Sequence, residues 1–295
     1  MIDRYLLRYF LAVVDTGSFS RGAAQVNVTQ PTLSVGIAKL ERLLGTALFH
    51  RTNQRVHLTD AGNRLLVHAR RIEAEFSLAA RSVADIGTSQ LVRLGVISTV
   101  PTALLELIVT EYRRYGDAGL IEIVEGRERD LAARLARGRI DLAVTVLRPD
   151  PEIRQEALHQ ERYSLALPQW HRLAGEASVR AEDLAEEIMI VRRHCEALSD
   201  VSRHFTERGV RPHFSLRTTN DDKALASVRA GLGITVMPDC YRDPAVSRPQ
   251  LSGFELTRVI GLQFGSSSIG REEKLAPIVN SVRRAAMVAS SAANM

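Results

Sequence analysis

Apolar residues recur at helical spacing from the start of the chain. Leu6, Phe10, Val13 and Val14 place one face of a helix over Asp3 to Thr16 against a core, and Gly17 ends it. Ala23, Ala24 and Val26 supply the small side chains that a tightly crossed second helix needs. Thr29 is a favourable N-cap, and Pro31 falls in the first helical turn, where its missing N–H costs little. Leu33, Ile37, Leu40 and Leu44 then mark the buried stripe of a third helix, closed by Gly45. Its opposite face, with Thr32, Val35, Gly36 and Lys39, is small or basic and suits close approach to a duplex. Ser18 to Leu44 therefore predicts a helix-turn-helix rather than an ordinary helical hairpin. The stretches 48–51 and 55–58 predict two short strands around Thr52-Asn53-Gln54, a basic wing beside the third helix.

Thr59 caps a long helix predicted to run to about Gly87. Leu65, Ala69, Ile72, Phe76, Ala79, Val83 and Ile86 alternate spacings of four and three, the a/d seam of a coiled coil. Another copy of the chain is its simplest partner, and a two-fold dimer presents two third helices to half-sites about 34 Å, or a multiple, apart.

From Leu91 the pattern changes to short apolar runs alternating with helices, as in α/β units. Strands are expected at 91–97, 120–124 and 140–146, with helices at 101–115 and 129–137 between them. Extended segments follow at 154–159 and 163–167, then strands at 187–191 and 212–217 around a helix near 195–208. A helix at 221–230, a buried strand at 231–238, a late strand at 254–260 and a segment 262–264 crossing back lead to a closing helix at 272–288, with a tail that frays. The loop Ser98-Thr99-Val100-Pro101 leaves a strand end and opens a helix. Hydroxyls and free N–H groups converge there, a ready seat for a small anion.

Charge sharpens this division. Residues 1–70 hold nine Lys/Arg and four Asp/Glu, whereas the remainder holds thirty of each sign, so the whole formal excess of +5 sits in the helix-turn-helix segment. That favours a polyanion partner for the N-terminus and a neutral module after it. Two cysteines, Cys195 and Cys240, fit a reducing compartment. Neither a signal-peptide core nor an apolar run of membrane-span length is present, and the expected location is the cytoplasm.

These residues resemble the LysR-type transcriptional regulators over essentially the whole chain. The resemblance is carried by Phe10-Leu-Ala-Val-Val, Gly17-Ser-Phe-Ser, Ala23-Ala24, Thr29-Gln-Pro-Thr-Leu-Ser34, Leu40-Glu41, Leu44-Gly45, Leu48-Phe49-His50-Arg51 and Leu58-Thr59-Asp60-Ala61-Gly62. Downstream, Arg139-Ile-Asp-Leu-Ala143 and Ala230-Gly-Leu-Gly-Ile-Thr-Val-Met-Pro238 carry it on. It implies an α/β multidomain chain: a winged helix-turn-helix (1–60), a dimerising linker helix (61–89) and an effector domain (90–295) similar to periplasmic solute-binding proteins. The latter divides into subdomain I, about 90–162 and 265–295, and subdomain II, about 163–264. The family further implies double-stranded DNA as partner, a homodimer or homotetramer, contact with RNA polymerase, no membrane association, no cofactor and no metal.

Carried over by position, Gln30, Pro31, Thr32, Ser34 and Val35 lie at the groove, and Lys39, Arg51 and Arg55 contact the backbone or minor groove. The chain departs from the family at Val35-Gly36, where members commonly carry Arg and Gln. A bidentate base reader is worth about 1–3 kcal/mol of discrimination, and here Val35 is left to touch a thymine methyl instead. In the effector domain Ser98, Thr99, Val100 and Thr145 match the first side of a cleft, with Arg193, His194, Thr219, Asn220 and Met237 as walls from subdomain II. Hydroxyls with Arg and His suggest a carboxylate or other anionic effector.

Four rival readings stand beside this one. Cys195 stands where peroxide-sensing members carry a reactive cysteine, and Arg192, Arg193 and His194 are placed to lower its pKa, but His204 occupies the place of their resolving cysteine. A metal sensor from His194, Cys195, Glu196 and His204 fails because adjacent residues on a helix point about 100° apart. An enzyme using Ser98 lacks a Gly-x-Ser-x-Gly elbow and a base, and a solute-binding transport module lacks an export signal.

Overall fold

The computed structural model describes residues 1–51, 56–84, 91–116, 119–151 and 153–293. The chain divides into two compact units, Met1–Thr88 with Ala136–Arg139, and Ser89–Leu135 with Ile140–Met295. Among the described residues no helix is long and apolar enough to cross a membrane.

The first unit holds α1 (Arg4–Thr16), α2 (Phe19–Gln25), α3 (Gln30–Leu44), β1 (Phe49–Arg51), β2 (Val56–Leu58) and α4 (Asp60–Ala84). Local chemistry sets these limits. The Ser18 hydroxyl accepts from Arg21 N, the Thr29 hydroxyl from Thr32 N at 3.3 Å, and the Thr59 hydroxyl from Gly62 N at 3.0 Å, each satisfying an N–H that a helix start leaves open. Gly17 and Gly45 close α1 and α3 in the left-handed conformation. Leu6, Phe10, Val13, Leu33, Ile37, Leu40, Leu48 and Phe49 form the core, as their spacing predicts. β1 and β2 pair antiparallel with Phe49 opposite Leu58, the stem of a wing.

Two expectations change here. Gly36 is buried, not on the open face of α3: a Cβ there would stand 2.5 Å from the Tyr9 ring. It lets α1 and α3 approach, so its smallness serves the helix pair and not a duplex. Gly36→Val, which adds branched bulk against that ring, is expected to lower unfolding stability by about 1–3 kcal/mol, read from the urea midpoint. The a/d seam is also divided. Ala69 is fully buried and Leu65 partly so, both within this unit's own core, whereas Ile72 and Phe76 are exposed. Ala79 is exposed as well; the side chain of Val83 and all of Ile86 lie outside the described residues.

The second unit begins with β3 (Val92–Ile97), α5 (Thr102–Arg113), β4 (Ile121–Gly126), α6 (Glu128–Ala136), β5 (Leu142–Val146) and β6 (Gln155–Pro168). It continues with β7 (Ser178–Val179), β8 (Ile188–Arg192), α7 (Leu198–Glu207), β9 (His213–Thr218), α8 (Asp221–Arg229) and β10 (Thr235–Pro238). β11 (Val246–Ser247), β12 (Gln250–Leu251), β13 (Thr257–Phe264) and α9 (Glu272–Ala293) complete it. One sheet runs β10-β6-β13-β5-β3-β4, and β8 and β9 form a separate parallel pair. The parallel strands β3, β4 and β5 pack with α5 and α9 around one core, and Tyr163, Leu165, Phe205 and Val236 lie in a second. The unit thus has two lobes joined by the long antiparallel strands β6 and β13.

Those strands correct the reading of two segments on each side. β6 is one strand of 14 residues, and β13 continues through Gly261 with a register shift at Ile260/Gly261. Polar residues at 160–162 interrupt the apolar pattern, yet Glu161 lies directly opposite Arg258 on β13. The apparent break is a cross-strand ion pair. Cys195 precedes α7 instead of lying on it, and α9 runs on through the Ala/Ser-rich tail to Ala293, with Ala285 and Ala286 buried.

Candidate functional site

Two surfaces carry the sequence-predicted residues. On α3, Gln30, Pro31, Thr32, Val35 and Lys39 are exposed, and Ser34 is half-buried. Their polar groups are already engaged within the unit. Gln30 Nε2 donates to Ser34 Oγ at 2.9 Å, the Thr29 and Thr32 hydroxyls lie 2.8 Å apart, and Lys39 Nζ donates to Tyr5 Oη at 2.8 Å. Val35, 69% exposed, is the large apolar side chain on this face. Arg51 lies on β1 with its side chain outside the described residues, and Arg55 lies outside them altogether.

The second surface lies where the two lobes of the second unit meet. The loop after β3 brings Ser98 and Thr99 there, and β5 brings Thr145. From the other lobe, the turn after β8 brings His194, Cys195 and Glu196. At the centre is Arg258, which sequence reasoning passed over. Its Nε donates to Glu161 Oε1 at 2.9 Å, its Nη2 to the Thr99 carbonyl at 2.9 Å, and its Nη1 to Thr99 Oγ1 at 3.1 Å and to Glu196 Oε1. Tyr163 Oη donates to the same Glu196 oxygen at 2.5 Å, and the Cys240 N–H donates to Glu161 Oε2 at 2.7 Å. Arg258, Glu161 and Glu196 are all more than nine-tenths buried.

Burial alone raises a carboxyl pKa. For Glu161 it is overridden by the contacts of His159, Arg258 and Cys240, which hold it at about 2; for Glu196 Arg258 and the Tyr163 hydroxyl likewise bring it below the ordinary range. A depressed folded pKa stabilises above the unfolded glutamate value and loses that contribution as pH falls. The second unit is therefore expected to lose stability steeply as the pH drops from about 4.5 to about 2, a loss checked by urea midpoints across that window.

The anion seat read from the sequence is filled from inside. Pro101 has no side chain with which to cap α5, and Asp222 on α8 supplies the carboxylate: Thr102 N and Thr102 Oγ1 both donate to Asp222 Oδ2, at 3.2 and 2.5 Å. Arg127 donates to His194 Nε2, and desolvation with the Arg127 charge holds that imidazole below its ordinary pKa, so it accepts as a neutral ring.

Three further wall residues differ from expectation. Met237 is fully buried with Tyr241 and Val228 in a core cluster, because its strand is covered on that side by α8. Asn220 is the N-cap of α8, its Oδ1 accepting from Lys223 N at 2.8 Å. Val100 is buried in the first lobe's core. Thr219 and Arg193 are exposed, the Arg193 N–H held to the Thr218 carbonyl at 2.7 Å. Ser98 Oγ and Thr145 Oγ1, both expected at the cleft, and Glu196 Oε2, which was not, are buried and meet no hydrogen-bond partner among the described residues.

Cys195 does not have a lowered pKa. Burial pushes its thiol above the ordinary value despite Arg192, whose Nη1 lies 3.4 Å from the sulfur. Arg192 is itself bound to Asp221, Nε to Oδ1 at 2.8 Å, with both side chains buried. Cys195 in the native chain is therefore expected to resist alkylation at neutral pH and to react on unfolding in urea, as read by thiol titration.

Two family models match the chain: the bacterial regulatory helix-turn-helix protein of the lysR family over residues 5–63, and the LysR substrate binding domain over residues 86–266. The HTH-type transcriptional regulator AlsR of Bacillus subtilis is 32% identical over 244 residues, covering 79% of each chain. A probable hydrogen peroxide-inducible genes activator of Mycobacterium avium is 32% identical over 278 residues, 90% of this chain and 89% of its own. Among solved structures, full-length BenM aligns with a TM-score of 0.52 at 23% identity over 98% of both chains. CbnR, a LysR family transcriptional regulator, aligns at 0.51 and 23% identity over 97% of this chain and 99% of its own.

Proposed function

The chain belongs to the LysR family of DNA-binding transcriptional regulators, and we propose that it binds paired half-sites in double-stranded DNA and responds to a small molecule between the two lobes of its second unit. One observation supports the DNA-reading part most directly: α3 turns Gln30, Pro31, Thr32 and Val35 outward while Leu33, Ile37 and Leu40 anchor it in a core. In this reading residues 1–60 bind DNA, 61–89 join two copies in a dimer that pairs again as a tetramer, and 90–295 receive the effector in the cytoplasm. The buried, unpartnered oxygens of Ser98, Thr145 and Glu196 are the groups that an effector would satisfy, since buried polar atoms are rarely left without partners. The output is a population shift: an effector changes DNA binding only by its differential affinity for two arrangements.

The test is a footprint on the DNA upstream of the protein's own coding sequence across a salt series. Two protected half-sites that persist as salt rises support the reading. Diffuse protection, lost steeply with salt, means that only phosphates are bound and overturns it.

A further inference from the structure

In the first unit Arg4 and Arg70 are met by carboxylates, those of Glu73 and Asp15. Lys39 on α3 is held differently. Its Nζ donates to the Tyr5 hydroxyl at 2.8 Å and lies 5.5 Å from the centre of the same ring. Both contacts are with a neutral side chain, so the ammonium is fixed in place with its charge uncompensated. Among the described residues no carboxylate forms an ion pair with it, and Asp3 acts on it more weakly than Tyr5. The side chain is exposed. A positioned, unneutralised cation on the outward face of α3 is suited to an anion that comes from outside.

The holder is itself held. Tyr5 stands in the first turn of α1, and its ring meets Tyr9 edge-on, with centres 5.7 Å apart and planes at 69°. Tyr9 fills the space that Gly36 leaves, where a Cβ would stand 2.5 Å from its ring. Gly36 thus admits Tyr9, Tyr9 flanks Tyr5, and Tyr5 holds Lys39. Tyr5 is 40% exposed, and while its oxygen accepts from Lys39 its own O–H can still donate. Two donors, an ammonium and a hydroxyl, therefore stand 2.8 Å apart, close enough to bond the oxygens of one phosphate. Lys39 follows the exposed Val35 by four residues and shares its face of α3. A helix that enters a groove by its N-terminal residues leaves the following turn beside the groove wall, where the phosphates run.

Resting on the DNA-binding reading above, we infer that Tyr5 and Lys39 together form one seat for a DNA phosphate, which brings α1 into the interface beside the helix-turn-helix. The seat touches backbone and no base, so it adds affinity without sequence preference. Its two halves depend on each other. Lys39 donating into the phenol oxygen turns the Tyr5 O–H away from itself, and Tyr5 in turn keeps a flexible four-carbon side chain in one place.

The test measures binding of the full chain, across a salt series, to two duplexes of equal length: one from the DNA upstream of its coding sequence and one of random sequence. Tyr5→Phe keeps the ring and removes only the hydroxyl. It is expected to weaken binding to both duplexes about fivefold. Lys39→Met should weaken both further and lower the salt slope by about one phosphate. In the Lys39→Met chain, Tyr5→Phe should cost under about twofold, the non-additivity of two groups that share one contact. The urea midpoint of Tyr5→Phe should match that of the native chain. The inference is overturned if Tyr5→Phe binds as the native chain does, or if it costs the same with and without Lys39. It is equally overturned if the loss of binding comes with a lowered urea midpoint of the first unit. A normal footprint beside any of these leaves the regulator intact and removes only the seat. Coupled losses on both duplexes without a footprint do the reverse: phosphates are held, and the reading of paired half-sites falls.

Discussion

Arg258→Met is expected to destabilise the second unit by about 3–5 kcal/mol, the cost of leaving buried partners of a charge uncompensated. Removing the guanidinium leaves Glu161 and Glu196 both enclosed, with Tyr163, His159 and the Cys240 N–H as their remaining contacts. It also frees the Thr99 hydroxyl and carbonyl, so the loop after β3 loses its tie to β13. The loss should appear as a lowered urea midpoint of the second unit's transition. It should be largely recovered when Arg258→Met is combined with Glu161→Leu and Glu196→Leu, because an apolar replacement of a whole buried ion cluster is often neutral. A midpoint within experimental error of the native chain would mean that the lobes are held by packing alone. The acid-induced loss predicted for Glu161 and Glu196 should disappear in the triple variant, which separates their contribution from that of other carboxylates.

The same cluster marks the limit of what the sequence reveals. Leu33, Ile37 and Leu40 on α3, or Leu142 to Val146 on β5, declare their burial through spacing, because apolar side chains have one reason to recur at a helix or strand period. The caps Thr29, Thr59 and Gly17 are equally legible, since each acts within a few residues of its own position. Arg258 and Glu161 are not. A charged residue in a chain reads as surface by default, and their pairing depends on the register of two strands 97 residues apart in sequence. In the sequence the polar run at 160–162 therefore looks like a gap, although it is the middle of β6.

Gly36 fails for a related reason. Its place on the α3 wheel suits the outer face as well as the inner one, and only the approach of Tyr9 from α1 decides between them. On the site itself, Ser98, Thr99 and Thr145 follow from strand ends, which α/β folds turn toward a ligand crevice. Asp222 could not be read as the occupant of the α5 start, because that contact joins residues 120 apart.

Ile72→Asp combined with Phe76→Asp is expected to weaken binding to a two-half-site DNA about 100-fold, in the range by which a second tethered contact strengthens a first. It should leave binding to an isolated half-site nearly unchanged. Leu65 and Ala69 are absorbed by the first unit's own core, so the part of the a/d row open to a partner starts at Ile72. Ile72 and Phe76 are 40% and 45% exposed, large apolar side chains four residues apart on one helix face. Phe76 is covered on one ring face by the Arg4 guanidinium, 4.6 Å from the ring centre, and Arg4 is held in turn by Glu73, Nη2 to Oε1 at 2.7 Å. That brace links α4 to α1 and orients the exposed row relative to the winged helix. Two aspartates on this row place like charges against each other at any two-fold contact and remove its apolar area together. The outward face of α3, with Gln30 and Val35, which is proposed to meet DNA, is untouched, which is why the single half-site is the control. Sedimentation should show the variant shifted to a smaller species. If the two-half-site affinity falls while the assembly stays intact, the row serves the winged helix and the dimer is built elsewhere.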